Sequence, residues 1–151
     1  MIKKAGQQGL TMIEVLIAML IFAIGLLGVA GMQSLALKSS DNSNIRSLVN
    51  IHAYEIVERM RANMPAVRGG KYNSIAGAST STNCSPSCTP NQLAAWDASE
   101  WYANLQADVP SATGAVIYAN GMATVTINWT ERSLGNDSEA QIYTLQARID
   151  Q

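Results

Sequence analysis

Eighteen consecutive residues, Val15 to Met32, are apolar or glycine and carry no charge. As a helix rising ~1.5 Å per residue they would span ~27 Å, close to the hydrocarbon thickness of a bilayer. Beyond Leu37 the pattern turns one-sided: Ile45, Leu48, Val49, His52, Ile56, Met60 and Met64 recur at three- and four-residue spacing. The opposite face carries Asn44, Glu55, Glu58, Arg59 and Arg61, with Glu55 and Arg59 spaced for an i,i+4 ion pair. The two patterns together predict one helix from Leu10 to Met64, about 80 Å long, ended by Pro65. Its first half is apolar all round and needs lipid or other helices about it. Its second half needs a globular head.

The rest of the chain supplies such a head. Between Ala66 and Pro110 lie Gly69-Gly70 and a Ser/Thr/Pro-rich stretch from Ser79 to Pro90, which carry turn chemistry without periodicity. Asp97 with Glu100 three residues later reads as a capping box opening a helix over Ala98 to Ala107, with Trp101 and Leu105 on one face. A meander follows. Ala115 to Ala119 and Ala123 to Thr130 flank Asn120-Gly121, a turn whose central residues need positive φ, and Ile142 to Ile149 forms a third strand. Val125, Ile127 and Trp129 alternate with Thr124, Thr126 and Asn128, while Tyr143, Leu145, Ala147 and Ile149 face inward. A sheet with one apolar face has to be covered, and the amphipathic half of the helix is the available cover. The predicted class is α+β: a long N-terminal helix on an antiparallel sheet.

Composition sharpens this picture. Hydrophobic residues make up 48% of the 151 positions and charged residues 14%, a low charge fraction concentrated away from the N-terminal span. The formal charge is −1 and no basic patch stands out, which makes nucleic acid a poor electrostatic partner. Lys3 and Lys4 precede the apolar run with no comparable cluster just after it, predicting a cytoplasmic N-terminus and an exported head. An ordinary secretory signal has a shorter apolar stretch, cut on its far side. Glu14 sits at the mouth of the apolar helix, where a carboxylate carried to the bilayer centre costs about 3 kcal/mol. Cys84 and Cys88 are the two cysteines, and in an exported loop bent by Pro86 they read as a local disulfide. His52 continues the apolar stripe and reads as a core-edge residue, and Trp96, Trp101 and Trp129 read as core. The sequence contains no nucleophile elbow, phosphate loop or metal-ligand cluster, so neither an enzyme nor a cofactor is indicated.

Gly9-Leu10-Thr11-Met12-Ile13-Glu14-Val15 followed by the long apolar run resembles the class III leader and first helix of type IV pilins and pseudopilins. The derived architecture is also similar to the type IV pilin fold. Ile24-Gly25-Leu26-Leu27-Gly28 and Glu58-Arg59-Met60-Arg61-Ala62-Asn63 look like the PilV family of type IV pilus modification proteins. These are minor pilins related to the I-class pseudopilins of type II secretion. The resemblance implies a leader at 1–9, a membrane or filament-core helix at 10–36, an amphipathic half at 37–64 and a periplasmic head at 65–151. Prepilin peptidase would cut after Gly9, and Leu10 would become the N-methylated N-terminus, although the family commonly has phenylalanine there. Removing the leader takes away Lys3 and Lys4 and leaves a net charge of −3. The implied location is the inner membrane before assembly and the pilus afterwards. The implied partners are other minor pilins, the major pilin, the peptidase and membrane lipid, with a role in initiating assembly or at the tip. A secretion pseudopilin and an adhesive or DNA-uptake pilin are the alternatives.

Under this reading Glu14 pairs with the Leu10 ammonium of its own or a neighbouring subunit, which offsets the cost of a carboxylate among apolar helices and fixes register. The helix dipole alone favours an acid there by ~0.3–1 kcal/mol. Gly25, Gly28 and Gly31 at three-residue intervals permit either close helix packing or local unwinding, as glycine costs ~1 kcal/mol against alanine. The Glu14→Ala variant is expected to lose its leader normally yet be missing from sheared filaments, with immunoblots of membrane and filament fractions as the readout. Wild-type recovery in filaments would leave only the dipole role.

Overall fold

The computed structural model describes residues 11–73, 75, 84, 87–133 and 137–150. Three helices and three strands follow in order: α1 (Met12–Ala62), α2 (Met64–Arg68), α3 (Pro90–Asp108), β1 (Thr113–Ala119), β2 (Met122–Arg132) and β3 (Ser138–Arg148). The chain divides into two units, Met1–Ser39 and Ser40–Gln151. In the first, every residue from Thr11 to Leu37 is exposed, and the helix there is apolar nearly all round.

In the second unit the one-sided stripe is buried as its spacing predicts. Val49, His52, Ile56 and Met60 are buried, Ile45, Leu48 and Met64 are partly buried, and Ala53 and Val57 widen the stripe. This half of α1 packs on a three-stranded antiparallel sheet of order β1-β2-β3, giving an α+β, pilin-like head. Ala119 pairs with Met122 across a two-residue turn in which Asn120 and Gly121 take φ of +52° and +77°, the turn chemistry asparagine-glycine provides. Val125, Ile127 and Trp129 face the core from β2, opposite Leu145, Tyr143 and Gln141 of β3. Gly114 on β1 lies beneath the Trp101 ring, where a Cβ would stand 2.8 Å from the ring's Cζ3. The indole N–H of Trp101 donates to the His52 carbonyl at 2.8 Å, joining α3 to α1 through a buried bond.

The strands start earlier than the sequence expectation, β3 at Ser138 rather than Ile142, and two helix boundaries differ for identifiable reasons. α1 ends at Ala62 rather than Met64, because Asn63 leaves helical geometry (φ −127°, ψ 51°). Pro65 then sits in the first turn of α2, where its missing N–H costs nothing, so it opens a helix instead of ending one. α3 begins at Pro90, seven residues before Asp97. Its capping box is Thr89 with Gln92: the Thr89 hydroxyl accepts from the Gln92 N–H, and the Gln92 side chain accepts from the Thr89 N–H at 2.9 Å. Asp97 and Glu100 therefore do not cap a helix start and lie within α3.

The far end of the sheet is tied to α1 by Arg46, whose Nε and one terminal nitrogen donate to the two Glu131 oxygens at 2.7 and 2.8 Å. Glu131 is 6% exposed and also accepts from the Trp129 indole at 3.2 Å. The Arg46 hydrogen bond, helped by the indole, outweighs burial and holds the carboxyl below its ordinary value of 4.5. A carboxyl whose folded pKa is depressed stabilises the fold above its unfolded pKa, and that contribution is lost as pH falls through the lowered value. Glu131→Gln is therefore expected to lower the melting temperature at pH 7, with the gap to wild type closing below about pH 4.5. Thermal unfolding from pH 7 to 3 checks this, and a gap that stays constant would contradict it.

Candidate functional site

Two groups of residues stand out, one in each unit. In the first unit, Glu14 lies in the first turn of α1, its N–H bonded to the Thr11 carbonyl at 3.0 Å. Its side chain is exposed, as are those of Met12, Ile13, Leu16, Ile17, Phe22 and the further apolar residues to Leu37. The stretch has a mean hydropathy of 2.7 over its most apolar eighteen residues and is long enough to cross a membrane. A Cβ on Gly25, Gly28 or Gly31 would meet nothing within 4 Å, so no contact among the described residues requires glycine at those positions. Gly9 and Leu10, the expected cleavage pair, lie outside the described residues.

The second group is an ionic network joining the end of α1 to α3. Arg59 donates to Glu55 at 2.7 Å, Glu100 at 2.6 Å and Asp97 at 3.2 Å, and its guanidinium carbon lies 5.9 Å from the centre of the Trp96 ring. Burial opposes the charge on Arg59, yet its hydrogen bonds to the three carboxylates outweigh it and raise the pKa above the ordinary arginine value. Asp97 is 5% exposed and also accepts from the Tyr72 hydroxyl at 2.6 Å. Burial, followed by the bond to Asp97, pushes the Tyr72 hydroxyl well above its ordinary value, so it stays a donor. Asn63 completes the set by donating to the Pro90 carbonyl at 2.8 Å and the Tyr72 oxygen at 3.2 Å.

Two turns before Arg59 on α1, buried His52 has Glu55 Oε2 3.2 Å from Nδ1 and Asp108 Oδ2 3.0 Å from Nε2. The apolar spacing placed His52 at the core edge correctly, and its polar role is to bridge α1 and α3. The expected Glu55–Arg59 pair is present, but Arg59 belongs to the interior network rather than to a solvated face. Trp101 and Trp129 are core residues, as expected, while Trp96 is half-buried against Arg59. The sequence reading missed Asn63, Tyr72 and the Thr89–Gln92 cap. A signal existed for the cap in Thr89-Pro90-Asn91-Gln92, whereas none marks a buried tyrosine in a loop. Cys84 and Cys88 are placed as a disulfide-distance pair, with alpha carbons 5.1 Å apart, just ahead of the α3 cap.

The network is internally matched: no buried side-chain nitrogen or oxygen among the described residues lacks a partner. It can fix α1 and α3 relative to one another and to the turn at Tyr72, and its carboxylates accept hydrogen bonds from or lie against Arg59, Tyr72 and His52. The other group, the apolar helix headed by Glu14, is exposed from Thr11 to Leu37.

Residues 4–30 match the family model described as the prokaryotic N-terminal methylation motif, the type IV pilin-like prepilin signal. No curated protein and no solved structure shows a significant match to this chain. The motif indicates a type IV pilin- or pseudopilin-like protein, and it implies processing by prepilin peptidase and assembly with other pilins.

Arg59→Met is expected to destabilise the head by about 3 kcal/mol, the low end for removing one partner of a buried pair. The low end applies because Arg59 keeps 21% exposure. Adding Asp97→Asn should return part of that loss by removing the uncompensated carboxylate. Denaturant unfolding of the two variants measures both effects, and a double variant no more stable than Arg59→Met would show that Asp97 is not the group Arg59 neutralises.

Proposed function

We propose that this chain is a minor type IV pilin of the PilV kind, which joins other minor pilins at the pilus tip and helps to initiate assembly of the major subunit. The observation that carries the reading is the prepilin signal at residues 4–30 continuing into an apolar helix whose residues are exposed from Thr11 to Leu37. A surface of that kind is covered first by inner-membrane lipid and then by the helices of neighbouring subunits. Cleavage after Gly9, methylation of Leu10 and pairing of Glu14 with a Leu10 ammonium would provide insertion and register. The head, on the periplasmic side, would present the contacts that choose partners, with Cys84 and Cys88 as a disulfide that pins the loop before α3.

Support for the PilV assignment comes from the resemblance of Ile24 to Gly28 and of Glu58 to Asn63. In the head, Arg59 and Asn63 of the second stretch anchor the network to α3 and Tyr72, which gives that stretch a structural reason. The role is structural rather than enzymatic, and the head's acidic balance favours protein partners over nucleic acid.

Deleting the chain in a strain with intact pilus retraction, then counting surface pili by electron microscopy, tests the proposal. Loss of pili, restored by the wild-type chain, is expected. Normal pili would direct the assignment to a secretion pseudopilus or to a dispensable adhesive subunit.

A further inference from the structure

The geometry points to His52 as a pH-dependent brace inside the head: its doubly protonated ring holds α1 to the end of α3, and loss of one proton releases the last turn of α3. The brace is a property of the head, whichever filament the protein enters.

His52 is the single histidine of the chain and is 4% exposed. Glu55 Oε2, on the same helix, lies 3.2 Å from Nδ1, and Asp108 Oδ2, from the far end of α3, lies 3.0 Å from Nε2. An ionised carboxylate only accepts hydrogen bonds. A neutral imidazole has one N–H and one lone pair, so it serves one of the two carboxylates and turns a lone pair towards the other. The imidazolium donates to both. Neither carboxyl is placed to supply the missing proton itself. Glu55 Oε1 already accepts from Arg59 at 2.7 Å and again at 3.2 Å, and the Asp108 side chain keeps 51% exposure to water.

Two further features place a charge on the ring. The boundary between α1 and α3 gathers four carboxylates, those of Glu55, Asp97, Glu100 and Asp108, around one permanent cation, Arg59. A proton on His52 offsets part of that excess. Asp108 is also the last residue of α3, whose last turn has no basic side chain. A helix C-terminus favours a cation and disfavours an acid, and the His52 ring brings that cation across from α1. The sheet adds no competing charge: β1 has none, and Glu131 on β2 is bonded to Arg46. Among the described residues no other hydrogen bond or ion pair reaches the ring.

A fold that binds the protonated ring gains stability at low pH and loses that contribution as pH rises. The sign is opposite to that of Glu131, whose contribution is lost as pH falls. Deprotonation leaves the Trp101 indole on the His52 carbonyl and Arg59 on Asp97 and Glu100, so α3 stays docked through its middle. The part released is its C-terminal turn, closed by the Val109 N–H on the Leu105 carbonyl at 2.8 Å, with the Val109–Ala112 turn that leads into β1.

The test uses the full chain in detergent micelles with isotope-labelled histidine. The two cysteines are joined, so His52 is the one side chain whose ordinary value falls between about pH 5.5 and about pH 9. Magnetic resonance of the ring should find protons on both nitrogens at about pH 5.5 and on one at about pH 9. Amide exchange at Val109, corrected for the intrinsic rate at each pH, should be about tenfold faster at the higher pH, with Trp101 unchanged. Asp108→Asn should remove that pH dependence, because an amide can turn either its oxygen or its nitrogen to the ring. His52→Gln should remove it too. Should the buried glutamine variant misfold, Asp108→Asn, at a half-exposed position, still decides. Exchange at Val109 that ignores pH, a pH dependence kept by Asp108→Asn, or a singly protonated ring at both pH values would each overturn the proposal.

Discussion

Asp97 can lie buried inside the head because the Arg59 guanidinium stands 3.2 Å away and the Tyr72 hydroxyl 2.6 Å away. An isolated carboxylate in that position would be costly enough to neutralise itself or to open the packing around it. The arginine draws in Glu55 and Glu100 as well, so one side chain on α1 collects carboxylates from its own helix and from α3. Asn63 turns the chain out of α1 and returns it to the start of α3 through the Pro90 carbonyl. Trp101, anchored to the His52 carbonyl, then covers Gly114 and closes the helices on the sheet. Placement of α3, and through it of the sheet, follows from satisfying one buried charge.

A second constraint divides α1 by what surrounds it. Up to Leu37 its side chains are exposed and apolar on all sides, a condition that water does not tolerate over such an area. From Ile45 onwards the same helix is one-sided and its stripe is filled by the sheet and α3. Glu14 lies in the first turn of this apolar part, where a lone carboxylate among apolar side chains is costly unless it is paired. Under the proposed function, membrane residence and filament packing would draw on that one surface.

The head's own polarity is nearly exhausted by internal pairs. Arg46 serves Glu131, Arg59 serves Asp97, Arg68 serves Asp150, and Arg61 pairs with Glu58.

Much of this was legible along the chain. The apolar run, the switch to a one-sided stripe at Leu37, the Asn120-Gly121 turn and the alternation through Val125, Ile127 and Trp129 are periodic signals. Periodicity reports which face is covered, and it determined the α+β class and the core positions of Val49, Ile56 and Met60. The prepilin signal at Gly9 to Glu14 is likewise local, because a peptidase and a membrane read it as a linear segment. Tertiary structure alone decided the rest. Asp97 and Glu100 had the spacing of a cap, but a carboxylate goes where its strongest partner is, and Arg59 lies 38 residues away from Asp97 in sequence. Pro65 looked like a stop, but proline is equally suited to a first turn, and Asn63 settled which by bonding Tyr72 and Pro90 across the fold. Partners distant in sequence leave no periodic trace, so the network that holds the head together became visible only when the chain had been folded.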